Sequence, residues 1–266
     1  MGENDGVPVV ARPRMRALVR PPGPRLADGL VTHIERVPVD VEVATKQWRG
    51  YVDALEGNGV DIVEVTAADD CPDAVFIEDT VVMFDGLAVI TRPGAPVRVP
   101  ETEAVQAMVA GLGYEIAHIE PPGTLDGGDV LKVGNVAYVG LGGRTDVAGI
   151  DQLAALVEPK GWRVVTVPVT KVLHLKSAVT ALPDGTIVGW PDAVDDATLF
   201  DRFLPTPEES GAHVVVLDET HLLIAADCPR SAAMYRSMGY DLVEVDIGEF
   251  QKLEGCVTCL SVRLRA

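Results

Sequence analysis

The sequence predicts an α/β protein built from about five copies of one supersecondary unit, set radially around a shared core. Three observations carry that reading. A glycine precedes a β-rich run four times: Gly59 before "VDIVEV", Gly113 before "YEIAHI", Gly161 before "WRVVTV" and Gly239 before "YDLVEV". An amphipathic stretch precedes each glycine. A polar loop and a second apolar run follow each β-rich segment.

The elements follow in order. "MRALVRPPG" (15–23) reads as a strand that closes the array against the C-terminus. "ATKQWRGYVDALEGN" (44–58), "ETEAVQAMVAGL" (101–112) and "DVAGIDQLAALVEPK" (146–160) carry apolar residues at three- and four-residue intervals, the period of a helix with one buried face. "PRSAAMYRSM" (229–238) is a shorter helix, with Pro229 at a plausible first position. Each following glycine suits the left-handed residue that ends a helix. The second apolar runs are 73–84, 125–133, 174–182 and 256–264. A fifth unit, 213–226, reads as shifted, with strands but no clear site loop. The rival architecture is an open doubly wound sheet, but no Gly-x-Gly-x-x-Gly fingerprint follows an early strand. No linker divides the chain, so residues 1–266 are expected to form one catalytic domain.

Composition narrows the function. The chain has 266 residues, 47% of them apolar, and a net charge of −18. The charge argues against nucleic acid and anionic membranes and is compatible with a cationic small molecule. No apolar run approaches the roughly 18 residues that a membrane span needs. Four cysteines (71, 228, 256, 259) are too few for a disulfide framework, so a reducing, cytoplasmic setting is expected.

Spacing then picks out candidate site residues. Asp126 follows Gly113 by 13 residues and His174 follows Gly161 by 13. Asp79 follows Gly59 by 20 and Cys259 follows Gly239 by 20. If the units are equivalent, two carboxylates, an imidazole and a thiol meet near the axis. That set supplies a nucleophile, a base and an orienting acid. Each member also has an ordinary reading: a turn former for Asp126, a hydrogen-bonded core residue for His174, and an edge-strand charge pair for Glu78 and Asp79. The terminal "CVTC" lacks the second ligand pair of a structural zinc site. It also lacks the strand-to-helix setting of a thioredoxin-type pair. Cys256 reads as a buried, inert thiol.

Taken together, "FIEDTVVM", "ITRPGAPVR", "TLDGGDVLKVG", "GRTDVAG", "HLKSAV" and "EGCVTCLSVRL" resemble dimethylarginine dimethylaminohydrolases. These belong to a guanidino-group-modifying superfamily with arginine deiminases and amidinotransferases. The resemblance runs from about residue 15 to the C-terminus, and it implies a five-bladed pseudosymmetric α/β propeller around a central active site. It implies hydrolysis of Nω-methylated arginines to citrulline and a methylamine, with arginine deiminase or another guanidine hydrolase as the alternative. It makes Cys259 the nucleophile, His174 the general acid/base and Asp126 its acidic partner. Asp79 matches the guanidinium-binding carboxylate, with Glu78 beside it, and Asp73 a polar substrate contact. Arg98 and Arg144 match the arginines at the amino-acid end of the substrate. Leu30 matches a flap residue, and Leu253 a backbone contact near the nucleophile loop. No metal or cofactor is implied, although a Cys–His pair beside carboxylates suggests inhibition by zinc. A homodimer is left open.

Overall fold

The computed structural model describes residues 15–264. Residues 1–14, 265 and 266 of the expected domain lie outside the described part. The blades follow one another along the chain. Strand β1 (Arg16–Val19) leads through helix α1 (Val41–Gly57) to β2 (Asp61–Glu64). Next come β3 (Val81–Phe84), β4 (Leu87–Ile90), α2 (Thr102–Gly111) and β5 (Glu115–His118). Then follow β6 (Val130–Val133), β7 (Val136–Leu141), α3 (Val147–Val157) and β8 (Arg163–Pro168). The fourth blade is β9 (Val179–Ala181), β10 (Ile187–Gly189) and β11 (Phe203–Pro205). The fifth is β12 (Val215–Val216), β13 (His221–Ala225), α4 (Pro229–Ser237) and β14 (Asp241–Val245). A short α5 (Gly248–Gln251) precedes β15 (Val262–Leu264).

These strands form five three-stranded sheets with one shared plan. The first strand pairs antiparallel with the second, and the second pairs parallel with the third across a crossover. The terminal closure is as expected: β15 supplies the first strand of the β1–β2 blade, with Arg16 opposite Leu264 and Leu18 opposite Val262. The protein is a five-bladed pseudosymmetric α/β propeller. Gly59, Gly113, Gly161 and Gly239 all have positive φ, from 80° to 95°, as the sequence predicted for the ends of the helical segments.

The irregular unit lies elsewhere than the sequence suggested. The 213–226 unit is complete. The odd blade is β9–β10–β11, whose crossover holds only a 3-10 turn at Ala197–Leu199. The connecting "WPDAVDDATLFDR" is too polar and too short in apolar period to bury a helical face.

Tyr51, fully buried on α1, ties the first blade to the C-terminus. Its hydroxyl donates to Val257 O at 2.9 Å and lies 2.7 Å from Ser261 Oγ. Asp40 starts α1 by accepting hydrogen bonds from the Glu42 and Val43 amides. The first strands lie innermost. The turns before β3, β6 and β9 abut in series, and β15 packs on β3. A side chain at the head of such a turn therefore faces the axis.

Candidate active site

Two of the four spaced residues, Asp126 and His174, occupy matching places, while Asp79 sits further into its turn. Asp79 lies in the 3-10 turn before β3, and Asp126 and His174 each cap the 3-10 turn before β6 and β9. Cys259 ends a hydrogen-bonded turn just before β15, with its amide donating to Cys256 O at 3.1 Å. The fifth blade also has such a turn, Ser210–Ala212, and places His213 after it.

The glycines of "LDGGD" let these turns meet. A Cβ on Gly127 would sit 2.0 Å from Glu78 O. One on Gly128 would lie 2.6 Å from Asp79 Oδ1 and 2.7 Å from His174 Nδ1. Backbone therefore passes where no side chain fits, and the Gly128 amide donates to Asp79 Oδ1 at 2.9 Å.

Asp126 is fully buried behind His174. Its Oδ2 lies 2.9 Å from His174 Nε2, and its Oδ1 accepts from the Gly94 amide at 2.8 Å. His174 Nδ1 is 3.8 Å from Asp79 Oδ1. Asp129, which the sequence reading missed, fixes the next residue: its Oδ1 accepts from the Leu175 amide at 2.9 Å, and its Oδ2 from Thr145 Oγ1 at 2.6 Å. Burial alone would lower the His174 pKa, but Asp79, Asp129 and Asp126 together raise it to about 9. The ring is an imidazolium at neutral pH. Burial conversely pushes Asp129 up to about 6. Burial would also raise Asp79, but His174 and Arg98 outweigh it and hold that carboxyl low.

Cys259 is buried, 7% exposed, and lines a narrow cleft with His174, Asp79, Asp73, Arg98, Arg144, Leu30 and Leu253. Its carbonyl accepts from the Glu78 amide at 3.2 Å, which ties the C-terminal loop to the "FIED" turn. Its Sγ lies 3.2 Å from Cys256 Sγ. Contact with Cys256 and burial raise the Cys259 thiol well above its ordinary pKa, and Glu78 and Asp79 add to the effect. The acidic surroundings are thus a secondary cause of the neutral resting thiol.

Three expected substrate contacts differ in how free they are. Arg144 lines the cleft, and its Nη1 makes no hydrogen bond, with Asp126 Oδ2 3.8 Å away. Arg98 is instead saturated. It donates to Asp79 Oδ2 at 2.6 Å, to Glu101 Oε2 at 2.8 Å, and to the carbonyls of Asp73 and Phe76, both at 3.2 Å. It braces Asp79 from below. Glu78 is not brought to the cleft. It lines a separate pocket with Lys176 and Arg263, whose Nζ and Nη2 approach it to 2.6 and 3.5 Å. Adjacent side chains of a tight turn diverge, so one faces the site and its neighbour faces away.

The flap also has partners that the motifs did not reveal. The Leu30 amide donates to both oxygens of Asp73, at 3.0 and 3.2 Å. The amides of Thr32 and His33 donate to Glu254, at 2.5 and 2.9 Å. Glu254 holds a positive φ of 61° next to the nucleophile loop. Leu253 packs beneath: a Cβ on Gly29 would meet its Cδ1 at 3.2 Å. With the flap so held, the cleft is about 20 Å³, room for about one water. An amino-acid ligand needs this segment to shift.

Asp79, Asp126 and His174 place donor atoms within 4.8 Å of one another, which is metal-ligand spacing. The imidazolium form of His174 opposes a cation there.

Comparison with known proteins agrees with this geometry. The chain is 60% identical over 253 residues to the N(G),N(G)-dimethylarginine dimethylaminohydrolase of Streptomyces coelicolor, covering 95% of this chain and 98% of that protein. The chain belongs to the dimethylarginine dimethylaminohydrolase family. A model of the arginine deiminase family matches residues 36–227. Two crystal structures from the dimethylarginine dimethylaminohydrolase family superpose closely. One is a histidine-to-glycine variant as an adduct with S-methyl-L-thiocitrulline, with a TM-score of 0.89 and 31% identity, covering 94% of this chain and all of that one. The other is the Pseudomonas aeruginosa enzyme, a cysteine-to-serine mutant complexed with citrulline, with a TM-score of 0.88 and 32% identity, covering 94% and 99%. In this family member no helix among the described residues is long and apolar enough to cross a membrane.

Proposed function

We propose that the protein hydrolyses Nω-methylated arginines to citrulline and dimethylamine or methylamine. The observation that carries this reading is the convergence of Cys259, His174 and the buried carboxylates Asp73 and Asp79 in one cleft of a dimethylarginine dimethylaminohydrolase fold.

A guanidinium is a poor electrophile because its charge spreads over three nitrogens. Asp79, which lines the cleft, holds the group, since a carboxylate matches its planar fork of donors, while Asp126 acts from behind His174. Arg144, whose Nη1 makes no hydrogen bond, and Asp73 take the amino-acid end. Arg98, Leu30 and Leu253 complete the pocket wall. Cys259 gives up its proton to solvent, and the bound cationic guanidinium stabilises the thiolate against the burial and the carboxylates that oppose it. Its sulfur then attacks the guanidinium carbon and forms a tetrahedral adduct. The bond to the methylated nitrogen breaks as His174 protonates the departing amine. That leaves an S-alkylthiouronium on Cys259. His174, now neutral, takes a proton from water, whose oxygen attacks the same carbon. The C–S bond breaks, and citrulline leaves. Asp126 on Nε2 holds the ring so that Nδ1 faces the reacting groups.

The chain works as one catalytic domain, since its site residues come from several blades. The four free thiols fit a cytoplasmic setting, and the partner is a small cationic amino acid.

The test is citrulline release from asymmetric dimethylarginine, monomethylarginine and arginine in parallel, with Cys259→Ser as control. Turnover of the methylated substrates, abolished by the substitution, is expected. Preference for arginine would keep the chemistry and move the protein to the deiminases. No turnover of any substrate would overturn the reading.

A further inference from the structure

Cys256 has no part in that chemistry, yet its sulfur touches the proposed nucleophile. The two Sγ atoms are 3.2 Å apart, and they sit at the ends of one hydrogen-bonded four-residue turn. Such a turn keeps its end Cα atoms within about 7 Å, close to the span a disulfide bridges. Closing the bond needs the sulfurs to approach by only about 1 Å.

The two thiols open in different directions. Cys259 lines the narrow cleft. Cys256 lines a separate cavity of about 520 Å³, together with His213, Ser177, Lys171 and Trp190. Leu173, Glu254 and Gly255 border both spaces and form the wall between them. Cys256 is 3% exposed, and His33 and Ile34 beside the flap also line this cavity, which gives a small polar oxidant a way to Cys256 that does not pass through the Cys259 cleft.

We propose that Cys256 and Cys259 are a reversible oxidative modification site: a hydroperoxide entering the larger cavity converts them to a disulfide that switches the nucleophile off. The Cys256 sulfur attacks one peroxide oxygen. An S–O bond forms, the O–O bond breaks, and hydroxide or alkoxide leaves with a proton. Cys259 sulfur then attacks the sulfenic sulfur. The S–S bond forms, the S–O bond breaks, and water departs with the Cys259 proton. Each sulfur is oxidised by one electron, and the peroxide is reduced by two. The local electrostatics suit this order. A hydrogen bond from the Cys259 thiol favours the Cys256 thiolate, and so do His213 and the Thr258 hydroxyl, which lies 3.2 Å from Cys256 Sγ. The bridge keeps Cys259 from the irreversible sulfinic and sulfonic acids. Its effect on turnover rests on Cys259 being the nucleophile; the bridge itself does not.

The test treats the full-length protein with graded hydrogen peroxide. Intact mass, peptide mapping and turnover are read before and after dithiothreitol. The wild type should lose two hydrogen masses, show a Cys256–Cys259 cross-link, lose turnover in step with the bridged fraction, and recover it on reduction. In Cys256→Ser, excess peroxide should carry Cys259 to the sulfinic or sulfonic acid, a gain of two or three oxygens, and the loss should persist after dithiothreitol. Oxygen gain without a cross-link in the wild type would overturn the proposal. So would a bridge to Cys71 or Cys228, or equal recovery in Cys256→Ser. A protein with no turnover at all would overturn the assigned reaction, while mass and mapping would still decide the bridge.

Discussion

The two faces of the loop 255–259 differ more than a three-residue spacing suggests. On one face Cys259 looks into a cleft of about 20 Å³ with Asp79, Asp73 and the His174 imidazolium. On the other, Cys256 looks into about 520 Å³ beside His213. Cys259 is held as a thiol, first by Cys256 and burial and then by the carboxylates, while Cys256 is pushed toward thiolate. The lesson is that local sequence does not assign chemistry to either thiol. Blades distant in sequence do, by supplying carboxylates to one face and a histidine to the other.

The largest way to break this comparison is to remove each sulfur. Cys259→Ser should lower kcat by about 10³-fold or more, whereas Cys256→Ser should stay within about tenfold of wild type. Equal losses in steady-state assays would erase the distinction between the faces.

His174→Gln comes next, with kcat expected to fall about 10²- to 10⁴-fold. The same variant sharpens the electrostatics. Because the folded His174 pKa is raised, its stabilising contribution is complete below about pH 6.5 and is lost as pH rises through about 9. The wild-type Tm should fall across that window, and the variant's should fall less.

Tyr51→Phe tests the anchor on the loop between the two thiols. It removes the hydroxyl bonded to Val257 and Ser261 and should cost about 1–3 kcal/mol in denaturant unfolding. An unchanged midpoint would show that the loop does not depend on α1.

The smallest effect concerns the flap, whose Leu30 lines the Cys259 cleft. Asp73→Asn weakens its hold on the Leu30 amide, and KM should rise about tenfold. Iodoacetamide mapping adds a check: free-enzyme Cys259 should alkylate only on the alkaline side, whereas a thiolate-like rate near pH 6 would contradict its raised pKa.

Much of the fold was legible because helical period and left-handed glycines are local signals. Gly59, Gly113, Gly161 and Gly239 stand where the chain turns from each helical segment into its strand. The weak crossover before β11 was misplaced by one blade, since polar connections carry no period to read. Spacing and motif pointed to Asp79, Asp126, His174 and Cys259, and the structure brings these side chains together. Asp129, Glu254 and Tyr51 were not, because each acts on a backbone atom far along the chain, and such a partner leaves no pattern around the residue itself.

The sequence by itself determined the repeated unit, the strand that closes the ring, and the residue types the chemistry uses. These follow from short-range periodicity and from counting. Tertiary structure alone decided that Arg98 is spent on Asp79 and Glu101, that Glu78 turns away toward Lys176, and that Cys256 touches Cys259 from a second cavity. Burial and charge at a buried group depend on every blade around it, and that sum exists only once the ring has closed.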